Sequence, residues 1–215
     1  MNKRNLVLTL LVVCLGFSTV AFAQTGSFRF GAGLVGLTDS EDSKLKSSGY
    51  ELTGRAWFAQ LPQLTIGGSY SDLDWKYDGD KYLIMNDIAV FGEYRIYNQT
   101  NYGLAATLGW LNRGYTNDYP NAEKDAVNYL TLGGKGNYVV MDGLQAIADV
   151  SYAFNNLFKK EGDDEYSILK GKIGAEYDIN QLPGLKARAY FLYEKEDDDY
   201  TSYGYDLGAS YAVNF

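Results

Sequence analysis

The sequence predicts an all-β chain wound into one closed, antiparallel, up-and-down barrel of ten strands, with eight as the alternative count. Three observations predict it. Apolar and polar residues alternate with a period of two through most of the chain, which marks strands with two different environments. The connections between these stretches are short and long in strict turn, as in a meander. The length of 215 residues suits one domain or one barrel, with 24 Gly, 20 Tyr and only 3 Pro.

The first 23 residues read as an address rather than as fold. Lys3 and Arg4 precede an apolar run from Leu6 to Val20, and Ala21-Phe22-Ala23 is a small-x-small cleavage site, so a mature chain is expected to begin at Gln24. Cys14 lies in the apolar run, and Leu11-Val12-Val13 before it lacks the small residue of a lipoprotein signal. The remaining 215 − 23 = 192 residues contain no cysteine, so no disulfide or thiol chemistry is available. Losing Lys3 and Arg4 takes the formal charge from −8 to −10, which argues against nucleic acid as a partner.

Ten alternating segments follow within a single domain, 24–215. They span 26–38, 49–60, 63–73, 82–97, 102–115, 126–140, 144–156, 165–179, 185–196 and 201–215. The short connections are Leu61-Pro62-Gln63, Asn98 to Asn101, Met141-Asp142-Gly143 and Asn180 to Gly184. The long ones, of roughly 8–12 residues, are acidic and centre on Asp39 to Asp42, Asp78-Gly79-Asp80, Asn117 to Asp125, Glu161 to Glu165 and Glu196 to Asp199. Tight turns at one end and larger polar loops at the other are the pattern of a barrel that spans a membrane.

The apolar faces carry the argument for lipid. Tyr102, Leu104, Ala106, Leu108 and Trp110 share one face of 102–115, and Leu169, Gly171, Ile173, Ala175, Tyr177 and Ile179 one face of 165–179, without a charge. A charge at mid-depth in lipid costs ~2–4 kcal/mol, so its absence is expected there. Aromatics gather at both ends of these faces. Tyr94, Tyr102, Tyr138, Tyr177 and Phe215 lie near the short turns, and Tyr50, Tyr70, Trp110, Tyr152, Tyr193 and Tyr203 toward the long loops, as two interfacial girdles would require.

The last segment, Asp206-x-Gly208-x-x-Tyr211-x-Val213-x-Phe215, resembles the C-terminal assembly signal of bacterial outer-membrane β-barrel proteins. The resemblance is sharp over this strand and architectural elsewhere. It implies a Gram-negative outer-membrane location. It also implies outer-membrane lipid and lipopolysaccharide as surroundings, and recognition of the last strand by the barrel-assembly machinery.

The polar faces hold nine basic residues (Arg29, Arg55, Arg95, Arg113, Lys135, Lys170, Lys172, Lys186 and Arg188) and eight acidic ones (Glu51, Asp87, Glu93, Asp149, Glu176, Asp178, Glu194 and Asp206). The lumen is therefore nearly neutral, and a charge network there is expected from Arg29, Glu51, Arg55, Glu93, Arg95, Lys135, Asp149, Lys170, Lys172, Glu176, Asp178, Lys186, Arg188 and Glu194. Hairpin symmetry assigns pairs. Around the fourth short turn, opposed positions sum to 364, which sets Asp178 against Lys186, Glu176 against Arg188 and Lys170 against Glu194. Around the third, pairing Val140 with Leu144 sets Lys135 against Asp149. Around the first, Arg55 faces Gly67 and Trp57 faces Thr65. Around the second, Arg95 faces Gly103, Glu93 faces Ala105 and Phe91 faces Thr107, so that large side chains meet small ones. With ten strands and a backbone radius of about 10 Å, these side chains are expected to leave a largely occluded, salt-bridged interior.

Catalysis is not expected. The enzymes of this barrel class place histidine at their active sites, and the chain has none. Carboxylates such as Asp163/Asp164 and Asp197/Asp198/Asp199, and the Asp78/Asp80 pair, read as solvated loop charge rather than as acid–base or cation sites. No cofactor or metal is implied. The expected function is a non-enzymatic barrel with a structural or surface-interaction role. A narrow porin-like channel is the alternative, and a loop-borne adhesin or receptor ranks lower. Oligomeric state is not readable from the chain.

Overall fold

The computed structural model describes residues 26–117, 124–158, 165–197 and 200–214. The expected leader and its cleavage site, most of the Asn117–Asp125 loop, Asp163, Asp164, Asp198, Asp199 and Phe215 lie outside the described residues.

Ten strands form: β1 (Gly26–Asp39), β2 (Leu45–Phe58), β3 (Leu61–Tyr77), β4 (Asp80–Asn98), β5 (Tyr102–Asn117), β6 (Lys124–Met141), β7 (Leu144–Phe154), β8 (Ser167–Asp178), β9 (Leu185–Glu196) and β10 (Tyr200–Asn214). Each pairs antiparallel with its sequence neighbours, and β10 closes on β1. The count is ten, not eight. Closure leaves no unpaired edge, so every strand is held on both sides.

The strands run further toward the loop end than alternation suggested. β2 begins at Leu45 rather than 49, β3 reaches Tyr77 rather than 73, and β4 starts at Asp80. The connection at Asp78-Gly79 is therefore a two-residue turn, not a long loop. Both residues take positive φ, 51° and 96°, which Asp and Gly accept and which matches the twist of the flanking strands. β7 stops two residues short of the expected end, and β8 starts two late.

At the other end three bulges displace the turns. Phe58 opposes Leu61 while Trp57 opposes Thr65, so Leu61-Pro62-Gln63 lies within β3 and the turn is Ala59-Gln60. Pro62 has no N–H for a ladder and sits in this irregularity. Beyond it the expected pairs Arg55 with Gly67 and Trp57 with Thr65 are present. A second bulge skips Ile96 between Arg95 and Tyr97, and beyond it the β4–β5 register lies two positions from the expected one. Arg95 faces Ala105, Glu93 faces Thr107 and Phe91 faces Gly109, which corrects all three expected partners. The rule that large meets small survives the slip. A third bulge pairs Met141, not Val140, with Leu144, yet Lys135 still opposes Asp149. Around the fourth turn the register is as expected, with Asp178, Glu176 and Lys170 opposite Lys186, Arg188 and Glu194.

Period two then sorts the side chains. Leu34, Leu104, Leu108, Val150, Ile173 and Leu207 point outward and are each more than half exposed. Toward the turns this band ends in exposed Tyr94, Tyr102, Tyr138 and Tyr177, with Tyr97 stacked on Tyr102 at 5.2 Å. Toward the loops it ends in Tyr50, Tyr152 and Tyr203, with Tyr193 and Phe191 against Tyr203. Beyond that second ring the outer face turns polar. Lys46 opposes Lys76, and the Tyr70 hydroxyl donates to Asp72 at 3.3 Å.

Candidate functional site

The inward faces divide the lumen into two storeys. Near the loops the inward residues of β1, β3 and β4 are apolar. Val35, Leu37, Leu73, Trp75 and Met85 pack as a buried cluster, joined by Leu45, Leu83, Tyr115 and Leu192. Leu111, Tyr129, Ala153 and Ile168 form a second cluster from β5 to β8. We call this layer the roof.

A charge cluster centred on Arg113 is built into the roof. Arg113 is fully buried. Its Nε and Nη2 donate to the two oxygens of Asp87 at 2.8 and 2.7 Å, a bidentate fork. Its Nη1 crosses the barrel from β5 to β9, donating to Glu194 at 2.6 Å and Glu196 at 3.1 Å. Lys170 donates to Asp87 at 2.8 Å and lies 3.3 Å from Glu194. The Tyr115 hydroxyl donates to Glu196. Two cations and a phenol thus serve three carboxylates, and non-adjacent strands are tied across the axis.

Below the roof lies a cavity of about 540 Å³, which we call the pit. It runs from Leu73, Met85 and Leu111 at the roof to Gln63, Asn137 and Gln145 near the short turns. Its walls hold further charges. Arg188 donates to Glu51 at 2.8 Å and to Asp206 at 3.3 Å, and Lys172 lies 3.9 Å from Asp206. Arg55 lies 3.0 Å from Glu93, and Lys135 3.9 Å from the same carboxylate. Lys186 holds Asp178 at 3.1 Å and approaches Glu176 at 4.0 Å, which also accepts from Tyr190 at 2.5 Å.

The expected network is therefore only partly a set of neighbouring pairs. Lys170–Glu194 and Lys186–Asp178 make contact across adjacent strands. Glu176 and Arg188 are opposed, yet Arg188 turns to the opposite side, toward β2 and β10. The reason is space. Gly33 and Gly208 oppose each other, and a Cβ on Gly33 would lie 2.8 Å from Arg188 Nη2. A Cβ on Gly208 would lie 3.0 Å from Arg188 Nε and 2.4 Å from the Ala32 carbonyl. The two glycines make a groove in which the guanidinium lies. Asp206 and Gly208, read from sequence as part of an assembly signal, thus also line the folded lumen; Tyr211 and Val213 face outward and are exposed. Asp149 lines the pit opposite Lys135 with no ion pair among the described residues.

Arg29 and Arg95 stand apart. Neither has an acidic partner among the described residues. Arg29 instead lies over the Trp57 ring at 5.8 Å, with its Nε buried and unpaired. Arg95 lines the lower wall.

Hairpin arithmetic missed the Arg113 hub for two reasons. The displaced β4–β5 register hid the direct opposition of Asp87 and Arg113. Contacts from β5 to β9 cross the barrel, and no hairpin rule reaches them.

No family model matches the chain, and no curated protein matches it. Solved structures match in fold. The outer-membrane protease OmpT of Escherichia coli has a TM-score of 0.46 at 12% identity, covering 89% of this chain and 97% of that one. The β domain of the Bordetella autotransporter BrkA has a TM-score of 0.49 at 12% identity, covering 88% and 100%. The attachment protein Ail of Yersinia pestis has a TM-score of 0.39 at 13% identity, covering 87% and 99%. These are likenesses of architecture alone: the chain is a closed, ten-stranded, antiparallel up-and-down β-barrel.

Proposed function

We propose that the chain is an integral outer-membrane β-barrel of a Gram-negative envelope, without catalysis, closed toward the loops and serving a structural or surface-interaction role. One observation carries the membrane reading. The outward face is a continuous apolar band between two aromatic rings, while the charges point into the lumen. Water would penalise such a surface, and lipid reverses the sign of that term. The longest connection, 155–166 between β7 and β8, leaves from the loop end, which orients the opposite end toward the periplasm. Outer-membrane lipid and lipopolysaccharide are the surroundings this surface fits. The barrel-assembly machinery is the partner that the last strand fits, through outward Tyr211 and Val213.

The absence of histidine from all 215 residues supports a non-catalytic role. The packed roof supports occlusion. The pit supports a second reading, a narrow channel for ions or small solutes that the roof would gate. The connections 40–44 and 78–79 are shorter than the sequence implied, which weighs against a loop-borne adhesin, while 155–166 is longer.

Refolding into phospholipid vesicles tests the membrane reading. The chain is expected to insert, and Leu108→Arg, at an outward mid-strand position, to lose ~2–4 kcal/mol of stability there. A chain that stays monomeric in buffer without detergent or lipid, and is indifferent to Leu108→Arg, would contradict it.

A further inference from the structure

We propose that the pit is a binding site for a small organic or inorganic oxyanion, a carboxylate- or phosphate-bearing molecule entering from the turn end. The proposal rests on the barrel reading above for the compartment that supplies the ligand, and not for the binding itself.

The volume is suitable. About 540 Å³ falls within the ~300–1,000 Å³ range of small-molecule sites. The charge pattern then selects the ligand. Seven acids and seven bases line the cavity, so the count alone is neutral. Pairing breaks that neutrality. Asp87 and Glu194 are served by Lys170 and by Arg113 behind the roof. Glu51 and Asp206 are served by Arg188, and Glu93 by Arg55 and Lys135. Glu176 has Tyr190 and, from outside the lining, Lys186. Asp149 faces Lys135 across the β6–β7 pair. The acids other than Asp149 are thus committed to the walls and the roof, and Asp149 makes no ion pair among the described residues.

The balance of what remains, Arg29 and Arg95 against Asp149, is positive, and the two cations sit low. Arg29 and Arg95 have no acidic partner among the described residues, and both line the pit. The Arg29 guanidinium is held over Trp57 at 5.8 Å, which orients it without neutralising it. An arginine so held offers a planar fork of donors that matches a carboxylate or phosphate. The neighbouring side chains Gln63, Asn98, Asn137 and Gln145 also line this lower part, and each can donate or accept. The Arg29 Nε is itself buried, so an entering oxyanion would meet this guanidinium through its terminal nitrogens.

The three tryptophans give the test its controls. Trp57 is at the mouth, Trp75 is buried in the roof, and Trp110 faces outward on β5. Inorganic phosphate and citrate are titrated into the full barrel in detergent micelles at constant ionic strength, and the three indole N–H resonances are followed by NMR. A saturable shift of Trp57, with Trp75 and Trp110 unmoved, is expected for at least one of the two anions. The double variant Arg29→Gln, Arg95→Gln is expected to weaken that binding tenfold or more. Lys46→Gln with Lys76→Gln, on the outer face, is expected to leave it unchanged. Retained dispersion of the Trp75 and Trp110 signals establishes that each variant is folded. No saturable shift of Trp57 with either anion overturns the proposal, as does equal affinity in the Arg29/Arg95 variant. Failure to insert into vesicles would instead count against the membrane reading and leave these micelle measurements intact.

Discussion

The roof and the pit are built from the same inward-facing positions of the same strands, yet they treat charge in opposite ways. In the roof a charge is admitted only with its partners complete. Arg113, without exposure to solvent, is matched by Asp87, Glu194 and Glu196. In the pit Arg29 and Arg95 stand without carboxylates among the described residues. The difference is water. A buried ion loses its hydration and must regain it from neighbours, whereas a group lining an open polar cavity keeps much of its own. Reading inward charge from alternation therefore locates the lumen, but not which charges hold the fold.

The comparison can be broken most forcefully at the hub. Arg113→Leu leaves Asp87, Glu194 and Glu196 with Lys170 as their one remaining cation among the described residues. It is expected to cost about 3–5 kcal/mol in urea unfolding from lipid vesicles. A loss below about 1 kcal/mol would mean that the roof is hydrated and that the two storeys do not differ.

Removing apolar volume from the same layer comes next. Leu73→Ala or Met85→Ala, both almost wholly buried, is expected to cost about 2–4 kcal/mol and to admit ions through the roof. Ion flux measured in vesicles loaded with a halide-sensitive dye would detect the second effect. A matching change in the pit, Thr131→Ala, is expected to alter neither flux nor stability appreciably.

A smaller effect is expected where wall charge depends on backbone. Gly208→Ala places a Cβ against the Ala32 carbonyl and against Arg188 Nε. Shifting the strand or displacing the guanidinium is expected to cost about 1–3 kcal/mol, read from the same urea titrations. The smallest effect is expected at the mouth. Arg95→Gln breaks no ion pair and should change stability by no more than about 0.5 kcal/mol.

These sites also mark what the sequence could and could not disclose. Alternation reveals the strands because lipid and lumen impose different chemistry on successive residues. Register around the fourth turn is legible because Ile179 and Leu185 flank it symmetrically; the Ile179 N–H donates to the Leu185 carbonyl. Around the second turn every partner is displaced by two and a one-residue bulge falls at Ile96, and bulges leave no periodic trace beyond a local break. The loop ends of β3 and β4 do not read as strand in the sequence because Asp74 and Lys76 interrupt the apolar outer face. They form strand nonetheless, since ladder hydrogen bonds do not require lipid. The roof was legible only in part. Val35, Leu37, Leu73 and Met85 are apolar on the face expected to be polar, but their convergence depends on barrel closure. Arg113 was visible on the polar face, and its reach to β9 was not.

Single-channel recording of the unmodified barrel in planar lipid bilayers tests the central claim, that the roof shuts the lumen above an accessible pit. The account predicts no stable stepwise conductance for the unmodified chain. A large, steady, reproducible conductance would show that the roof is open and would contradict it.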